Sequence, residues 1–308
     1  MPFNITPSET QDKNKLLTYF RESGSEKLAE LRREIGNQNF KKLAAGLNKA
    51  IDTSLTTFRE AVTSTAESDN WSDDDKLKSI LSSTYCAQVA MLDLRNEVWP
   101  YEYMAFSRRI GELWERFVRI PFTYSVSRVT PFIPPLFSEV RADLRKEIED
   151  YIGELNLTDA ERKELLEYYE KVWILVDSGE ISLQLDLHAK INDVRVNIDF
   201  KSGFGSNEKG NTNRLLMVAT IYQNLEECYE NVLLVRARED LNNHYFQTLK
   251  NSSVWEAYCG IEAYAKIGEY TGFDLQGWIQ ENIDWSTDLL PETITHFSEN
   301  NLMQYLEW

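Results

Sequence analysis

One stretch of the chain, residues 181–201, limits the fold more than any other. Its sequence is ISLQLDLHAKINDVRVNIDFK, in which apolar and polar residues alternate on either side of Asn192 and Asp193. Alternation with a period of two is typical of β-strands. Asn and Asp tolerate left-handed backbone conformations, so this pair predicts a two-residue hairpin turn. We therefore expect two antiparallel strands here, and with them a fold that contains a β-sheet.

The predicted turn also fixes which residues of the two strands face each other. If Ile191 pairs with Val194, Asp186 lies directly opposite Asp199. Directly opposed side chains share a face of the sheet, with Cβ atoms about 5 Å apart. Lys201 lies two residues beyond Asp199 and therefore points to the same face. The hairpin is predicted to hold two carboxylates and one ammonium group close together.

This combination of side chains suits a particular chemistry. Two opposed carboxylates repel each other unless a cation lies between them. Carboxylate oxygens are hard ligands, which favour Mg²⁺ or Mn²⁺. A lysine beside such an ion can orient or deprotonate a water molecule and stabilise developing negative charge. The pattern predicts a metal-dependent hydrolytic site, and the alternative is a solvated outer face of an ordinary hairpin.

An aspartate followed about a dozen residues later by D-x-K resembles the core of the PD-(D/E)xK nucleases. The proline that usually precedes the first aspartate is replaced by Leu185. Among these enzymes the chain is most similar to the type II restriction endonucleases. That resemblance implies Mg²⁺-dependent hydrolysis of double-stranded DNA at a specific sequence, with Mn²⁺ as a substitute ion. It also implies a homodimer, because a two-fold protein matches a palindromic site.

A helix predicted over about Tyr101 to Val118 supplies a further candidate carboxylate. Its segment SRRIGELWERF resembles a helix that precedes the hairpin in many of these enzymes and carries a glutamate that reaches the metal ions. Glu115 is our first choice for that glutamate and Glu112 is the second. The alternative is a surface helix stabilised by salt bridges between residues four apart.

A glycine-rich segment, SGFGSNEKGNTNRL, follows Lys201 directly and predicts a flexible loop rich in hydrogen-bond donors. It lacks the context of a nucleotide-binding P-loop, so no nucleotide cofactor is expected. Backbone N–H groups and Lys209 suit phosphates, whereas Asn and Arg side chains suit base edges. A surface loop without function is the alternative. The residues expected to contact DNA are Ser202, Ser206, Asn207, Lys209, Asn211, Asn213 and Arg214.

The resemblance implies a catalytic role for five residues. Asp186, Asp199 and the backbone carbonyl of Phe200 are expected to bind one or two Mg²⁺ ions. Glu115 is expected to assist them. A metal ion of this kind polarises the scissile phosphate and lowers the pKa of a bound water molecule. Lys201 is expected to position that water and to neutralise charge in the transition state.

The net charge of −17 argues against a protein that simply coats DNA. Two segments account for the whole excess. Residues 147–180 contain eleven acidic and three basic residues, and residues 251–308 contain ten acidic residues and one lysine. The remainder is neutral overall, so its basic residues can gather on one surface. Acidic outer faces with a local basic cleft are compatible with a selective DNA enzyme.

Residues 1–100 are predicted to be helical. Apolar residues recur at helical spacing in three segments, and a fourth helix begins after an N-cap at Ser72. This region is expected to serve packing, dimerisation or the embrace of DNA. Residues 101–308 are predicted to form the nuclease core, with an acidic C-terminal extension.

The elements around the hairpin predict the fold class. Two charged helices are expected before it, over about 135–155 and 158–177. After it we expect a helix over 215–225, a buried strand over 231–237 and a strand that leads into a helix within 254–275. The predicted class is α/β (α+β), and the resemblance implies a restriction-endonuclease-like core with a mixed central sheet flanked by helices.

Cysteine usage and hydropathy bear on the cellular compartment. The three cysteines are scattered, which suggests a reducing cytoplasm, and the resemblance implies that of a bacterium or archaeon. The N-terminus lacks the pattern of a secretory signal, and no apolar run approaches the length of a membrane span, so no membrane partner is expected.

Two other functions remain open. One is a repair, phage or transposon nuclease with the same core and no sequence specificity. The other is a non-catalytic helical interaction protein in which D-x-K occurs by accident. Acidic charge and a large helical half favour the second alternative, which predicts neither Mg²⁺ binding nor metal-dependent affinity for DNA.

Overall fold

The computed structural model describes residues 4–125, 129–176, 181–205, 208–225 and 227–308, without the side chains of 172–176. The helices within these ranges are α1 (Pro7–Thr10), α2 (Lys13–Ile35), α3 (Phe40–Ser68), α4 (Asp73–Val98), α5 (Tyr103–Val118), α6 (Ile120–Thr123), α7 (Phe137–Glu154), α8 (Asp159–Val176), α9 (Lys209–Gln223), α10 (His244–Lys250), α11 (Ile261–Thr271), α12 (Leu275–Asn282), α13 (Trp285–Asp288) and α14 (Pro291–Glu299). The strands are β1 (Val129–Pro131), β2 (Leu187–Ile191), β3 (Val194–Lys201), β4 (Tyr229–Val235) and β5 (Glu256–Cys259).

The five strands form one mixed sheet in the order β1-β2-β3-β4-β5. β1 and β2 pair antiparallel, as do β2 and β3, whereas β3, β4 and β5 run parallel. The prediction of a mixed sheet flanked by helices is therefore confirmed at the level of fold class. Because parallel strands end at the same edge, the loops after β3, β4 and β5 lie together there.

Each face of the sheet packs against its own set of helices. Phe200 and Leu234 belong to a hydrophobic cluster with side chains of α4, α5 and α11. Leu233 and Val235, on the opposite face, pack against side chains of α9 and α10. The sheet is therefore the middle of three layers, and the hairpin β2–β3 is held from both sides.

The N-terminal helices share a core with the sheet. α2, α3 and α4 pack on one another, and their buried residues belong to the same cluster as Phe200. Gly24 of α2 lies so close to α4 that an added Cβ would be 2.4 Å from Leu94 Cδ1. This glycine permits close helix packing. The first two of the three helical segments predicted in this region form the single helix α2, which continues through Gly24. The division of the chain at residue 100 stays a prediction, although the hydrophobic core crosses that position.

The C-terminal segment is tied to the N-terminal helices by a buried carboxylate. Asp288 is 7% exposed and accepts hydrogen bonds from Lys13 Nζ at 2.9 Å and from Tyr85 Oη at 2.7 Å. The main-chain carbonyl of Asp288 also accepts from Arg21, which in turn pairs with Asp93 at 2.6 Å. These bonds hold the C-terminal segment against α2 and α4, so each part stabilises the other.

The strand predicted from residue 181 begins only at Leu187. Leu183 and Leu185 are buried, as the alternation predicts, but they pack beneath α9. Their backbone groups bond to side chains rather than to a strand, because Tyr222 Oη donates to the Leu183 carbonyl and Leu185 N–H donates to His188. The prediction of a strand over 181–186 is wrong for this reason.

In the described part of the chain, no helix is both long and apolar enough to cross a bilayer.

Candidate active site

The hairpin turn has the predicted geometry. Asn192 and Asp193 adopt φ angles of 49° and 69°, which are both in the left-handed region that a type I′ turn requires. Ile191 pairs with Val194, and the register continues to Leu187 and its partner on β3. The predicted register is confirmed for every pair of this ladder.

Asp186 lies one residue before β2, at the end of the predicted register. Its Oδ2 accepts a hydrogen bond from the Phe200 N–H at 2.8 Å. This bond joins the two strands beyond their last regular pair and fixes the direction of the carboxylate. Asp186 is 26% exposed, so one side of it is open to solvent.

The ammonium group of Lys201 lies among three oxygen atoms. It forms an ion pair with Asp199, lies 3.7 Å from Asp186 Oδ2 and donates to the Phe200 carbonyl at 3.1 Å. These oxygens belong to the groups expected to bind a metal ion. The sequence-predicted carboxylates, carbonyl and lysine are therefore brought to one point.

Asp199 is the most deeply buried member of this group, with a side chain only 1% exposed. Burial raises the pKa of Asp199 to about 6, although the charges of Lys201 and Arg214 act in the opposite direction. Arg214 Nη2 lies 3.5 Å from Asp199 Oδ2 and its Nη1 donates to the Gln184 carbonyl at 3.4 Å. Two cations thus share one buried carboxylate.

Lys201 remains charged in this setting. Burial alone lowers the pKa of Lys201, but Asp199 and Asp186 together outweigh it, and the pKa lies above its ordinary value. The lysine therefore acts as a positive charge and hydrogen-bond donor, and it is not poised as a neutral base.

Helix α5 approaches the end of β3 closely. A Cβ added to Gly111 would be 3.2 Å from Ser202 Cβ, so glycine permits this contact. Trp114 packs edge-on against Phe200, with ring centroids 6.3 Å apart, and its Nε1 donates to Tyr264 Oη at 2.8 Å. These contacts fix the helix that carries Glu112 and Glu115 relative to the hairpin.

The charges of the site affect the pKa of Glu115. Burial is the first cause that raises the pKa of Glu115, and the negative charge of Asp186 is the second. Arg119, the C-cap residue of α5, lies 3.6 Å from Glu115. Glu112 instead pairs with Arg108 at 3.0 Å and with Arg109 at 3.1 Å. This arrangement favours Glu115 over Glu112 as the assisting carboxylate, which stays a prediction.

The oxygen atoms at this point fit a hard divalent cation. Two carboxylates and one backbone carbonyl already surround a single positive charge, and oxygen donors are the ligands that Mg²⁺ prefers. The described residues contain no group of three or more His, Cys, Asp or Glu side chains placed to hold a metal. The Phe200 carbonyl and water therefore have to complete such a site unless Glu115 moves closer.

Most residues expected to contact DNA are not in a loop. α9 begins at Lys209, so Lys209, Asn211, Asn213 and Arg214 lie in its first two turns, and the prediction of a flexible loop through Arg214 is wrong there. α9 begins before the predicted start at residue 215. Thr212 and Leu215 are both buried, so the first turns of the helix also have a face that packs inward.

The individual side chains of this set differ in what they contact. Lys209 and Asn213 are exposed, whereas Asn211 donates to Glu208 at 3.1 Å. Ser202 lies under Gly111, and Arg214 turns inward to Asp199. Ser206 and Asn207 lie outside the described residues.

Two asparagines that the sequence reasoning missed hold the segment after Lys201. Asn242 Oδ1 accepts the Phe204 N–H at 2.8 Å, and Asn243 Nδ2 donates to the Gly205 carbonyl at 2.6 Å. Both residues follow β4, which runs parallel to β3. Because parallel strands end at the same edge of a sheet, this position is the sequence signal that could have indicated their contact with the segment after Lys201. They hold Phe204 and Gly205, in the segment that directly follows Lys201, in place.

A chain of buried amides runs across the sheet beside the site. His188 Nδ1 bonds to Asn197 Oδ1 at 2.8 Å, and Asn197 Nδ2 donates to Asn231 Oδ1 at 3.0 Å. Burial lowers the pKa of His188, and its Nε2 accepts from the Leu185 N–H, so the ring is neutral with its proton on Nδ1. His188 is thereby fully engaged within the sheet.

Comparisons of this chain with family models, with curated proteins and with solved structures give no match. The functional argument therefore depends on the geometry of the chain itself.

Proposed function

We propose that the protein is a Mg²⁺-dependent endonuclease that hydrolyses phosphodiester bonds of double-stranded DNA at a specific sequence. The observation that carries the proposal is the Lys201 ammonium group surrounded by Asp186, Asp199 and the Phe200 carbonyl. Two carboxylates, a carbonyl and a lysine at one point of a hairpin are the groups that metal-assisted phosphodiester hydrolysis requires.

Asp186, Asp199 and the Phe200 carbonyl are the proposed ligands of the ion, with Glu115 as the assisting carboxylate. When bound, the ion supplies Lewis acidity toward the phosphate and lowers the pKa of a water molecule. Mn²⁺ is expected to substitute for it because it has the same preference for oxygen ligands.

The residues of the chain itself account for orientation and charge. The Phe200 N–H holds Asp186 in place, so that carboxylate is preorganised. Lys201 orients the attacking water and stabilises negative charge on the phosphate oxygens. Arg214 reaches Asp199 from α9 and offers a second cation to the phosphate when Asp199 binds the ion instead.

The sheet supports a restriction-endonuclease-like core. An antiparallel hairpin followed by a helix and parallel strands places the site at the edge where β3 and β4 end. Ligands of open α/β sheets bind beyond the carboxyl ends of the parallel strands. A homodimer on a palindromic site is part of the proposal, and sedimentation velocity measures it directly.

A second candidate is a purely structural ion cluster in a non-catalytic protein. Asp199 already has two cations, Lys201 and Arg214, so the buried charge is compensated without a metal ion. This alternative predicts no effect of Mg²⁺ on the protein and no cleavage.

The test is incubation of the purified protein with phage lambda DNA in Mg²⁺, beside an EDTA control. Discrete fragments that require Mg²⁺ are expected, and their ends give the recognition sequence. A smear contradicts sequence specificity and indicates the non-specific nuclease. Absence of cleavage, together with absence of DNA retention in Ca²⁺, contradicts the proposal and favours the structural cluster.

A further inference from the structure

A groove lies between α3 and α5. Its volume is about 640 Å³, and its lining includes Asn48, Lys49 and Thr53 of α3 with Arg109 and Arg116 of α5. Ala45 is the only residue of the lining with an apolar side chain. A surface of this kind offers hydrogen bonds and charge, and little for an apolar ligand to contact.

The charges in the groove favour an anion. Three cations line it, Lys49, Arg109 and Arg116, against the two carboxylates of Asp52 and Glu60. Lys49 is exposed and has no salt bridge within the described part of the chain. Its cationic group is therefore available to a ligand.

The two arginines of the groove are held to different degrees. Arg116 is exposed and lies 3.4 Å from Asp52, in a surface pair of the kind that contributes little to stability. Arg109 is only 20% exposed, because it lies 3.1 Å from Glu112 and beside the buried Tyr101. Asn48 adds a buried side-chain oxygen without a hydrogen-bond partner among the described residues. Arg116 can therefore turn to a ligand at little cost, whereas Arg109 is already fixed at the other end of the groove.

The groove and the candidate site share one helix. The charge of Asp186 affects the pKa of Glu115. The next residue, Arg116, pairs with Asp52 of α3. Consecutive residues of an α-helix point about 100° apart, so α5 presents one face to the hairpin and another to the groove. Arg109 and Arg116 are two turns apart, about 10 Å along the helix axis. A ligand that spans both arginines therefore carries several negative charges in a row.

We propose that this groove binds the sugar-phosphate backbone of the DNA beside the scissile bond. The inference rests on the proposed nuclease function and adds to it a binding surface that the hairpin does not contain. Arg, Lys, Thr and Asn side chains make most contacts to DNA phosphates, and the groove combines all four types. Contacts of this kind position the duplex without reading its sequence.

The test compares two variants that change the charge by the same amount. Lys49→Glu/Arg116→Glu reverses two cations of the groove, whereas Lys163→Glu/Lys171→Glu reverses two exposed lysines of α8. Binding of a fluorescent 30-bp duplex in Ca²⁺ is followed by anisotropy at several salt concentrations. We expect at least about tenfold weaker binding and a salt dependence smaller by about two counterions for the groove variant. The α8 variant is expected to stay within about threefold of the wild type, since long-range repulsion is screened.

Equal losses of affinity in the two variants overturn the inference and leave the nuclease proposal standing. A wild-type protein that neither binds the duplex nor cleaves DNA overturns both. Lys49→Ala guards against misfolding, because this exposed lysine has no salt bridge among the described residues. It should weaken binding by itself without a change in melting temperature, and unchanged affinity contradicts the assignment of Lys49.

Discussion

A carboxylate that is 1% exposed persists as an anion only where cations or donors surround it. Asp199 meets this requirement with Lys201 on one side and Arg214 on the other. A chain that needed only stability would gain as much from a well-packed apolar residue at this position. The proposed function gives this buried charge a role that stability alone does not require.

The neighbouring amide chain is the contrasting case, in which buried polar groups serve structure. Replacing Asn197 by alanine should lower the free energy of unfolding by about 1–3 kcal/mol, because His188 and Asn231 both lose a buried partner. Urea denaturation measures the change. Asn213→Ala, at an exposed position of α9, should stay within about 0.5 kcal/mol of the wild type. Equal stability of the two variants would show that the amide chain contributes nothing.

Among the helices, α5 links the hydrophobic core to the candidate site. Its stripe of buried residues holds it against the sheet, and Gly111 lets it lie over Ser202. Glu115 is one turn beyond Gly111 and so shares its side of the helix. The position of a glutamate near the hairpin therefore depends on the absence of a side chain four residues earlier.

Substitution of Gly111 by leucine tests this dependence. Leucine is a good helix former, but its side chain should push α5 away from Ser202 and displace Glu115. We expect cleavage to fall by at least about tenfold, since small displacements of catalytic groups are costly. Gly153→Leu in α7 has open space at the Cβ position and should leave the cleavage rate unchanged. A Gly111→Leu variant that cleaves as fast as Gly153→Leu contradicts the proposed role of α5.

Local sequence signals predicted those elements whose hydrogen bonds are local or regular. The Asn192-Asp193 turn and the register of β2 and β3 follow from backbone preference and alternation, and both are confirmed. Residues 181–186 alternate equally well, yet their backbone bonds to side chains of α9 and to His188. Sequence distance concealed Tyr222 and Arg214, and it likewise concealed Asn242, which lies 38 residues from the Phe204 N–H that it accepts.

At the scale of the whole molecule, the two halves of the chain are not independent. One hydrophobic cluster contains residues of α2, α3 and α4 together with strands of the sheet. Asp288 adds a polar tie between the C-terminal segment and Lys13. A single cooperative unfolding transition is therefore expected across the predicted boundary at residue 100.

Substitution of Asp288 by alanine tests this coupling. It leaves Tyr85 Oη without its buried acceptor and should lower the free energy of unfolding by about 1–3 kcal/mol. Helical circular dichroism and tryptophan fluorescence should shift together in urea, because both report the same core. Glu299→Ala, at an exposed position of α14, should have little effect. Separate transitions for the two probes would instead indicate two domains that unfold independently.

The cluster of Asp186, Asp199 and Lys201 is proposed to cleave DNA, and replacement of the lysine tests this role. The measurement is single-turnover cleavage of the recognition fragment in Mg²⁺ by wild type, Lys201→Ala and Lys190→Ala, with duplex binding in Ca²⁺ measured in parallel. Lys190 is an exposed lysine of the same hairpin whose nearest carboxylate is Asp193, at 3.3 Å. Lys201→Ala should lose at least about 100-fold in rate with its affinity for DNA retained, because the lysine acts on charge that develops in the transition state. Lys190→Ala should cleave like the wild type. Full activity of Lys201→Ala would contradict the account.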